Sequence, residues 1–143
     1  ETLGIPTRVA NDADVHALAS VSGRGLECVI TLGTGLGFSL INDSELLPHL
    51  ELSGAPFMAD LDFESVLGQA GLQRDGVEAW KQHVVRGIDA LRPFLYFDHL
   101  YVGGGNARLL DPATLGARVS VVENSNGLLG GYLLWSPSNR EVA

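Results

Sequence analysis

The sequence predicts an α/β fold in which a mixed sheet, begun by an antiparallel hairpin and continued by βα units, carries helices on both faces. A β-branched apolar run at 27–32 and a second predicted strand at 38–43 flank a glycine-rich turn, which is typical of a hairpin. Further along the chain, helical patterns alternate with short strands. Antiparallel strands followed by βα units give a mixed sheet with helices packed on its faces.

The turn of the hairpin is the strongest chemical pattern in the chain. Gly33, Gly35 and Gly37 alternate with other residues, and Thr31 and Thr34 add hydroxyl donors. Glycine permits positive φ and close approach of a ligand to the main chain. Free amides in such a turn can hold an anion. The pattern indicates phosphate binding, and a glycine-rich hairpin without a ligand is the alternative.

The first helix is predicted over Ala13–Ser22, after a short extended segment at 7–10. Asn11 or Asp12 is suited to be its N-cap, and an acidic first turn is favourable to the helix dipole. Asp12 therefore has two interpretations, a helix cap or a general base at a strand-to-helix junction.

The middle of the chain is predicted to contain a third strand at 45–48, an irregular loop at 49–57 that holds Glu51, and a short helix at 62–70. Asp75 is predicted to open a longer helix, with Glu78 as its capping-box partner and Pro93 at its end. Its buried stripe is predicted to be Val77, Trp80, Val84, Ile88 and Leu91.

The strand predicted at 99–102 runs into Gly103, Gly104 and Gly105, with Asn106 as the cap of a short helix. A strand, a glycine turn and a helix start form a recurrent anion or nucleotide site. An ordinary βα turn is the alternative.

The chain is predicted to end with a strand at 118–122, a helix at 128–135 begun by residues 124–127, and a loose tail at 137–143. Gly130 and Gly131 inside this helix cost stability, so they indicate close packing against another element.

Composition limits the classes of function. The 143 residues are 45% hydrophobic and 18% charged, which fits one globular domain. A net charge of −8 argues against nucleic acid and anionic membranes as main partners, although backbone amides and a metal ion can still hold phosphate. One cysteine excludes a disulfide framework and a cysteine zinc site, and the four histidines lack metal-ligand spacing. With neither a signal peptide nor a long apolar stretch in the sequence, a cytoplasmic location is the default expectation.

The order of these motifs resembles the second half of a ROK-family sugar kinase (repressor, open reading frame, kinase) of the glucokinase and polyphosphate glucokinase type. Residues 9–14 resemble the family's Asn-Asp segment, 31–37 its second phosphate motif, and 48–51 its sugar-binding loop. Residues 100–106 resemble the strand and turn near the nucleotide base, and 124–131 the closing helix.

The resemblance implies an actin-like, ribonuclease-H-like lobe that transfers a phosphoryl group from ATP or polyphosphate to a hexose such as glucose, with Mg²⁺. Asp12 would be the general base, and Asn11 and Glu51 would hold sugar hydroxyls. The hairpin turn at 31–37 would cradle phosphates, and residues 103–106 would flank the nucleoside. We also expect a homodimer.

The resemblance also predicts a domain division. Residues 1–22 would be the end of a first lobe with an interdomain helix, and residues 23–136 the C-terminal lobe. The first lobe, with the family's first phosphate loop, is absent, and because the chain opens on Glu1 we expect a fragment. The family's zinc-binding cysteine cluster is also absent.

The sugar-binding loop departs from the family pattern, because Glu-x-Gly-His is here Glu51-Leu-Ser-Gly54. The lost histidine predicts a weakened sugar site. His49, two residues before Glu51, would face the same way in an extended segment and could supply the lost donor, and an exposed loop histidine is the alternative.

The departure also favours a second hypothesis, a sugar-sensing or regulatory ROK protein without turnover. A third is an actin-like ATPase or assembly domain, against which Asn11, Asp12 and Glu51 speak.

Overall fold

The computed structural model describes Gly4, residues 10–123 and residues 127–135. The helices are α1 (Asp12–Leu18), α2 (Phe63–Leu67), α3 (Gln69–Asp75), α4 (Val77–Leu95) and α5 (Gly127–Leu133). The strands are β1 (Leu26–Leu32), β2 (Leu36–Asn42), β3 (Glu45–Leu46), β4 (Pro56–Met58), β5 (Leu61–Asp62), β6 (His99–Gly103) and β7 (Val119–Val121). Short 3₁₀ turns cover Ala107–Leu109 and Pro112–Thr114.

The main sheet has the order β3-β2-β1-β6-β7. The β1–β2 and β2–β3 pairs are antiparallel, whereas β1–β6 and β6–β7 are parallel. A parallel neighbour requires a crossover, and α4 supplies it between the hairpin and β6. The sheet is therefore mixed, as predicted.

Strand β1 explains why helices lie on both faces, since its successive side chains point to opposite sides. Cys28, Ile30 and Leu32 belong to a core with α2 and α4. Val29 belongs to a second core with Ala17 of α1, on the other face. The predicted placement of helices on both faces is confirmed.

The hairpin between β2 and β3 turns through Asp43 and Ser44, both with positive φ (48° and 71°). Two such residues in a two-residue loop match the twist of the flanking strands, which explains the turn predicted at this point.

Helix α1 is shorter than predicted because it ends at Leu18 rather than at Ser22. Asn11 is its N-cap, and the Asn11 side chain accepts a hydrogen bond from the amide of Ala13. Residues 7–9 of the predicted extended segment, residues 124–126 before α5 and the predicted tail at 137–143 lie outside the described residues.

The segment predicted as one helix at 62–70 contains two, and the predicted loop at 49–57 ends in a strand. Asp62 caps α2 by accepting from the amide of Ser65, and Gly68, with ψ of −175°, separates α2 from α3. Strands β4 and β5 form a separate two-stranded sheet. Pairs this short carry no periodicity in the sequence, so alternation could not indicate them.

The predicted capping box of the long helix is wrong. Asp75 ends α3, where its carboxylate accepts two hydrogen bonds from Arg74. Gly76 is the N-cap of α4, with φ of 77° and without a side-chain cap. Glu78 pairs instead with Lys81 at 2.8 Å. The glycine allows the sharp turn between two consecutive helices, which the local cap pattern did not indicate.

The predicted end of α4 is also wrong, because Pro93 lies inside the last turn and the helix continues to Leu95. Pro93 lacks the amide that would bond to the carbonyl of Asp89, an exposed residue that water can reach. Tyr96 ends the helix in the left-handed conformation, with its amide on the carbonyl of Arg92.

The buried stripe of α4 is correct except at its first member. Trp80 is fully buried and donates its indole N–H to the carbonyl of Leu67, so it is a core residue. Val77 is 41% exposed because it lies in the first turn, beyond the edge of the core. The other predicted members, Val84, Ile88 and Leu91, are buried.

Candidate functional site

A cleft of about 450 Å³ opens where the hairpin turn, the start of α1 and the loop after β3 meet. The antiparallel β1–β2 pair brings the glycine turn to one end of the sheet, beside the N-terminus of α1. Most of the residues singled out in the sequence line it: Asn11, Asp12, Thr31, Gly33, Thr34, Gly35, Gly37, His49, Glu51, Gly104 and Gly105.

Two of the three hairpin glycines, Gly35 and Gly37, avoid close contacts that a Cβ would make, and none of the three adopts a positive φ. A Cβ on Gly37 would lie 2.3 Å from Thr31 Oγ1 and 2.9 Å from the Cβ of Ala13, so only glycine lets α1 approach the strand there. A Cβ on Gly35 would lie 2.8 Å from Glu64 Oε2. At Gly33 the space is open. The expectation of positive φ in this turn is wrong.

The tip of the turn leaves two amides for a ligand. The amide of Gly33 bonds to the carbonyl of Gly35, and the amide of Leu36 donates to Glu64 Oε2 at 3.3 Å. Within the described part of the chain, the amides of Thr34 and Gly35 have no hydrogen-bond acceptor. Adjacent free amides of this kind can bind an anion.

The glycine turn after β6 closes the other wall of the cleft. Gly104 has φ of +88°, and a Cβ there would lie 2.4 Å from the carbonyl oxygen of Leu32. Gly103 is buried and is not among the residues that line the cleft. Glycine at 104 is therefore required both by conformation and by contact.

Asn106 is the N-cap residue of the short helix, as predicted, although its side chain does not make a capping hydrogen bond. The structure forms only a one-turn 3₁₀ helix here, and Asn106 makes no cap bond. Its amide group instead donates to the carbonyl of Gly33 at 3.3 Å and to Gln69 Oε1 at 3.1 Å. Asn106 thus ties the two glycine turns together from behind the cleft.

Asp12 and Asn11 present polar side chains at the mouth of the cleft, and both are exposed. Asp12 Oδ1 accepts a hydrogen bond from the amide of Ala13 at 2.8 Å. The side-chain oxygen of Asn11 accepts from the same amide at 2.9 Å. Asn11 and Asp12 share the capping of α1, which leaves the second carboxylate oxygen of Asp12 available to a ligand.

His49 and Glu51 enter the same cleft, with His49 Nε2 3.6 Å from Glu51 Oε2. Ser53 donates a hydrogen bond to Glu51. That hydrogen bond is the largest cause of the lowered pKa of Glu51. Desolvation opposes it, and His49 adds to the lowering, so the pKa lies below its ordinary value. Glu51 is therefore a carboxylate acceptor at neutral pH.

Sequence reasoning missed several residues of the cleft. Glu64 enters it from α2 beside the hairpin turn, and His16 enters it from α1. Neither stands in a local motif, and only the packing of the helices against the hairpin brings them together. Spacing on α1 could have indicated His16, one turn after Asp12 on the same face.

Among the described residues that line the cleft there is no lysine or arginine. A phosphate bound here would be balanced by main-chain amides and by a cation. Within the same described residues, no group of three or more His, Cys, Asp or Glu could hold a metal ion alone.

The fold is similar to that of ROK-family, actin-like sugar kinases. No family model matches the chain. The chain is 26% identical to the polyphosphate glucokinase of Mycobacterium tuberculosis H37Ra over 91% of its own length and 54% of that protein. It therefore spans about half the length of the curated relatives it matches.

Comparison with solved structures also finds sugar kinases. The inorganic polyphosphate/ATP-glucomannokinase of Arthrobacter sp. strain KM is 28% identical with a TM-score of 0.74, over 87% of this chain and 55% of that one. A ROK-family glucokinase from Streptomyces griseus, solved with glucose and AMPPNP, shows the same fold at 16% identity with a TM-score of 0.65, over 90% of this chain and 66% of that one. The homologues are polyphosphate glucokinases and ROK-family sugar kinases, which confirms the predicted family resemblance and fold class.

Across the described residues, none of the helices combines the length and the apolar character needed to cross a bilayer.

Proposed function

We propose that this chain forms the phosphate- and sugar-binding lobe of a hexose kinase that uses ATP or polyphosphate. The observation that carries the proposal is the convergence of Asp12, Glu51 and the free amides of Thr34 and Gly35 on one cleft. Phosphoryl transfer needs a proton acceptor, sugar-positioning groups and a phosphate cradle, and these residues match the three needs.

Asp12 would accept the proton of the attacking hydroxyl, because it lies at the mouth of the cleft with one oxygen held by α1. Asn11, Glu51 and His49 would bind the remaining hydroxyls. Gly104 and Gly105 would border the nucleoside or the polyphosphate chain.

Mg²⁺ is compatible with this donor set. This ion takes few protein ligands and is held by one or two carboxylates together with phosphate oxygens. Asp12 and Glu64 are the exposed carboxylates nearest to the α1 and hairpin walls of the cleft. When bound, Mg²⁺ would neutralise charge on the transferred phosphoryl group. The ion matters more here because the described lining residues of the cleft include neither lysine nor arginine.

Asp12→Asn in the protein that carries this chain tests the proposal. We expect hexose phosphorylation to fall by about 100-fold or more, the usual scale for loss of a general base. We expect hexose binding, measured by calorimetry, to remain, because asparagine keeps the helix-capping oxygen. The assay couples sugar phosphate formation to a panel of hexoses with either ATP or polyphosphate.

Asp60→Asn is the matched control, since Asp60 is exposed and does not line the cleft. If Asp12→Asn retains full turnover, Asp12 is only a helix cap and not the general base. Hexose binding without turnover in the parent protein would favour the sugar-sensing alternative, and nucleotide hydrolysis without any hexose effect would favour the ATPase alternative.

A further inference from the structure

A row of four polar side chains runs from the second core to the cleft. Ser39 of β2 is 2% exposed and donates to Asp14 Oδ1 at 2.6 Å. Asp14 Oδ2 lies 3.6 Å from His49 Nδ1, and His49 Nε2 lies 3.6 Å from Glu51 Oε2. The row thus connects a buried hydroxyl to the sugar side of the cleft.

Asp14 has no part in the chemistry proposed above. It lies two residues after Asp12 on α1, and its side chain points into the protein with 5% of the residue exposed. Burial of a carboxylate is costly unless it is paired and hydrogen-bonded. Ser39 supplies one hydrogen bond, and the imidazole of His49 is the group that faces the other oxygen.

A carboxylate that faces one nitrogen of an imidazole favours one orientation of the ring, and a hydrogen bond between them sets which nitrogen carries the proton. At 3.6 Å, Asp14 Oδ2 lies at ion-pair distance from His49 Nδ1, slightly beyond a hydrogen bond. Asp14 lies at the Nδ1 side of His49, so the Nε2 edge is turned toward Glu51 and the cleft. The His49 side chain is one-third exposed, so part of the ring is covered by the protein and part is accessible to a ligand.

We propose that Asp14 is a positioning residue that holds His49 beside Glu51, so that the two together bind adjacent hydroxyls of the sugar. An imidazole nitrogen and a carboxylate side by side offer a donor and an acceptor, and two neighbouring hydroxyls can satisfy both. The sugar part of this inference rests on the proposed function, whereas the placement of the ring by Asp14 does not.

A double-mutant cycle with Asp14→Asn and His49→Ala tests the coupling. We expect Asp14→Asn to raise the hexose KM by about 10-fold to 150-fold, the range for one hydrogen bond in which a charged group takes part, with a smaller change in kcat. In the His49→Ala background, the same substitution should add little, because its effect passes through the ring. If the KM increase of the double variant equals the product of the increases of the two single variants, the proposal is wrong.

Glu27→Gln is the matched control, because Glu27 is also a buried carboxylate but lies outside the cleft. It should leave the hexose KM unchanged. If Asp14→Asn does not fold, Ser39→Ala replaces it, since it keeps the carboxylate and removes its anchor. A KM increase of a few-fold that vanishes in the His49→Ala background is then expected, and an increase that persists contradicts the proposal.

Nitrogen NMR of the His49 ring, without any ligand, separates this inference from the proposed function. We expect Asp14→Asn to change the ring signals and the ratio of the two neutral tautomers, and Glu27→Gln to leave both as in the parent. An unchanged ring in Asp14→Asn overturns the positioning role even where hexose is phosphorylated. A changed ring in a protein that does not phosphorylate hexose would retain the positioning role while the proposed function fails.

Discussion

Glu27 organises the loop that precedes the hairpin. Its carboxylate is fully buried and accepts hydrogen bonds from the amides of Ser22, Gly23 and Arg24, from the Ser22 hydroxyl and from Tyr101. Burial acts to raise the pKa of Glu27, but the hydrogen bonds from Ser22, Tyr101 and Gly23 outweigh it and lower the pKa below its ordinary value of 4.5. The buried carboxylate near the start of β1 is thus hydrogen-bonded mainly by main-chain amides of the loop between α1 and β1.

Glu27→Gln should lower the free energy of unfolding at pH 7 by about 1–3 kcal/mol, the cost of leaving buried donors poorly paired. Because the folded-state pKa lies below the unfolded value, the contribution of Glu27 is complete above that unfolded value. It is lost as the pH falls through the folded pKa. Urea unfolding of the parent protein and of Glu27→Gln from pH 7 down to pH 3 should show that the difference between their free energies of unfolding becomes smaller.

Glu45→Gln is the control for this comparison, because Glu45 is an exposed residue of β3. It should change stability little at any of these pH values. If the difference in the free energy of unfolding between Glu27→Gln and the parent stays constant with pH, the loop does not require the carboxylate charge.

At the scale of elements, the approach of α5 to α1 depends on one glycine. A Cβ on Gly130 would lie 1.6 Å from the carbonyl oxygen of Val15, whereas a Cβ on Gly131 would meet nothing within 4 Å. Of the two glycines expected to mark close packing, the structure therefore assigns that role to Gly130 alone. Contact between helices is possible at this distance only where a side chain is missing.

Gly130→Ala and Gly131→Ala form a matched pair on one helix. We expect Gly130→Ala to destabilise the protein by about 1–3 kcal/mol, the usual cost of overpacking. Gly131→Ala should be neutral or stabilising by up to about 1 kcal/mol, since alanine is the better helix former. Thermal unfolding followed by circular dichroism measures both, and equal effects would contradict the contact between α1 and α5.

At the scale of the whole molecule, several elements meet at the cleft. Among the described residues, the hairpin turn, the start of α1, the loop after β3 and the glycine turn after β6 line it. The chain spans about half the length of its curated relatives, and enzymes of phosphoryl transfer depend on excluding water around the reacting groups. The division of the protein into two lobes stays a prediction, as does the homodimer.

The 143-residue chain by itself should show no hexose phosphorylation, because the family resemblance predicts in it one of the two phosphate loops that the fold uses. A coupled assay with glucose and either ATP or polyphosphate measures this, with a complete polyphosphate glucokinase as the positive control. Glucose phosphorylation by the isolated chain above the no-enzyme rate would contradict the two-lobe proposal.

The sequence by itself determined the elements that have their own local pattern. The β-branched runs on either side of Gly33–Gly37 give the hairpin, and the apolar stripe with Trp80 gives α4, because alternation and helical periodicity follow directly from backbone geometry. The family resemblance, based on ordered motifs, singled out most of the residues that line the cleft. Asp12, Glu51 and Gly104 belong to three such motifs, and all three line the cleft.

Only the tertiary structure decided which groups share that cleft and in what role. Asp14, Ser39 and His49 come from three separate elements, and their contacts depend on how α1 packs against β2. The side chain of Asn106 donates a hydrogen bond to the carbonyl of Gly33, 73 positions away in the chain, instead of capping its own helix. Local sequence rules concern neighbours within a turn or two, so contacts fixed by packing over such separations are beyond them.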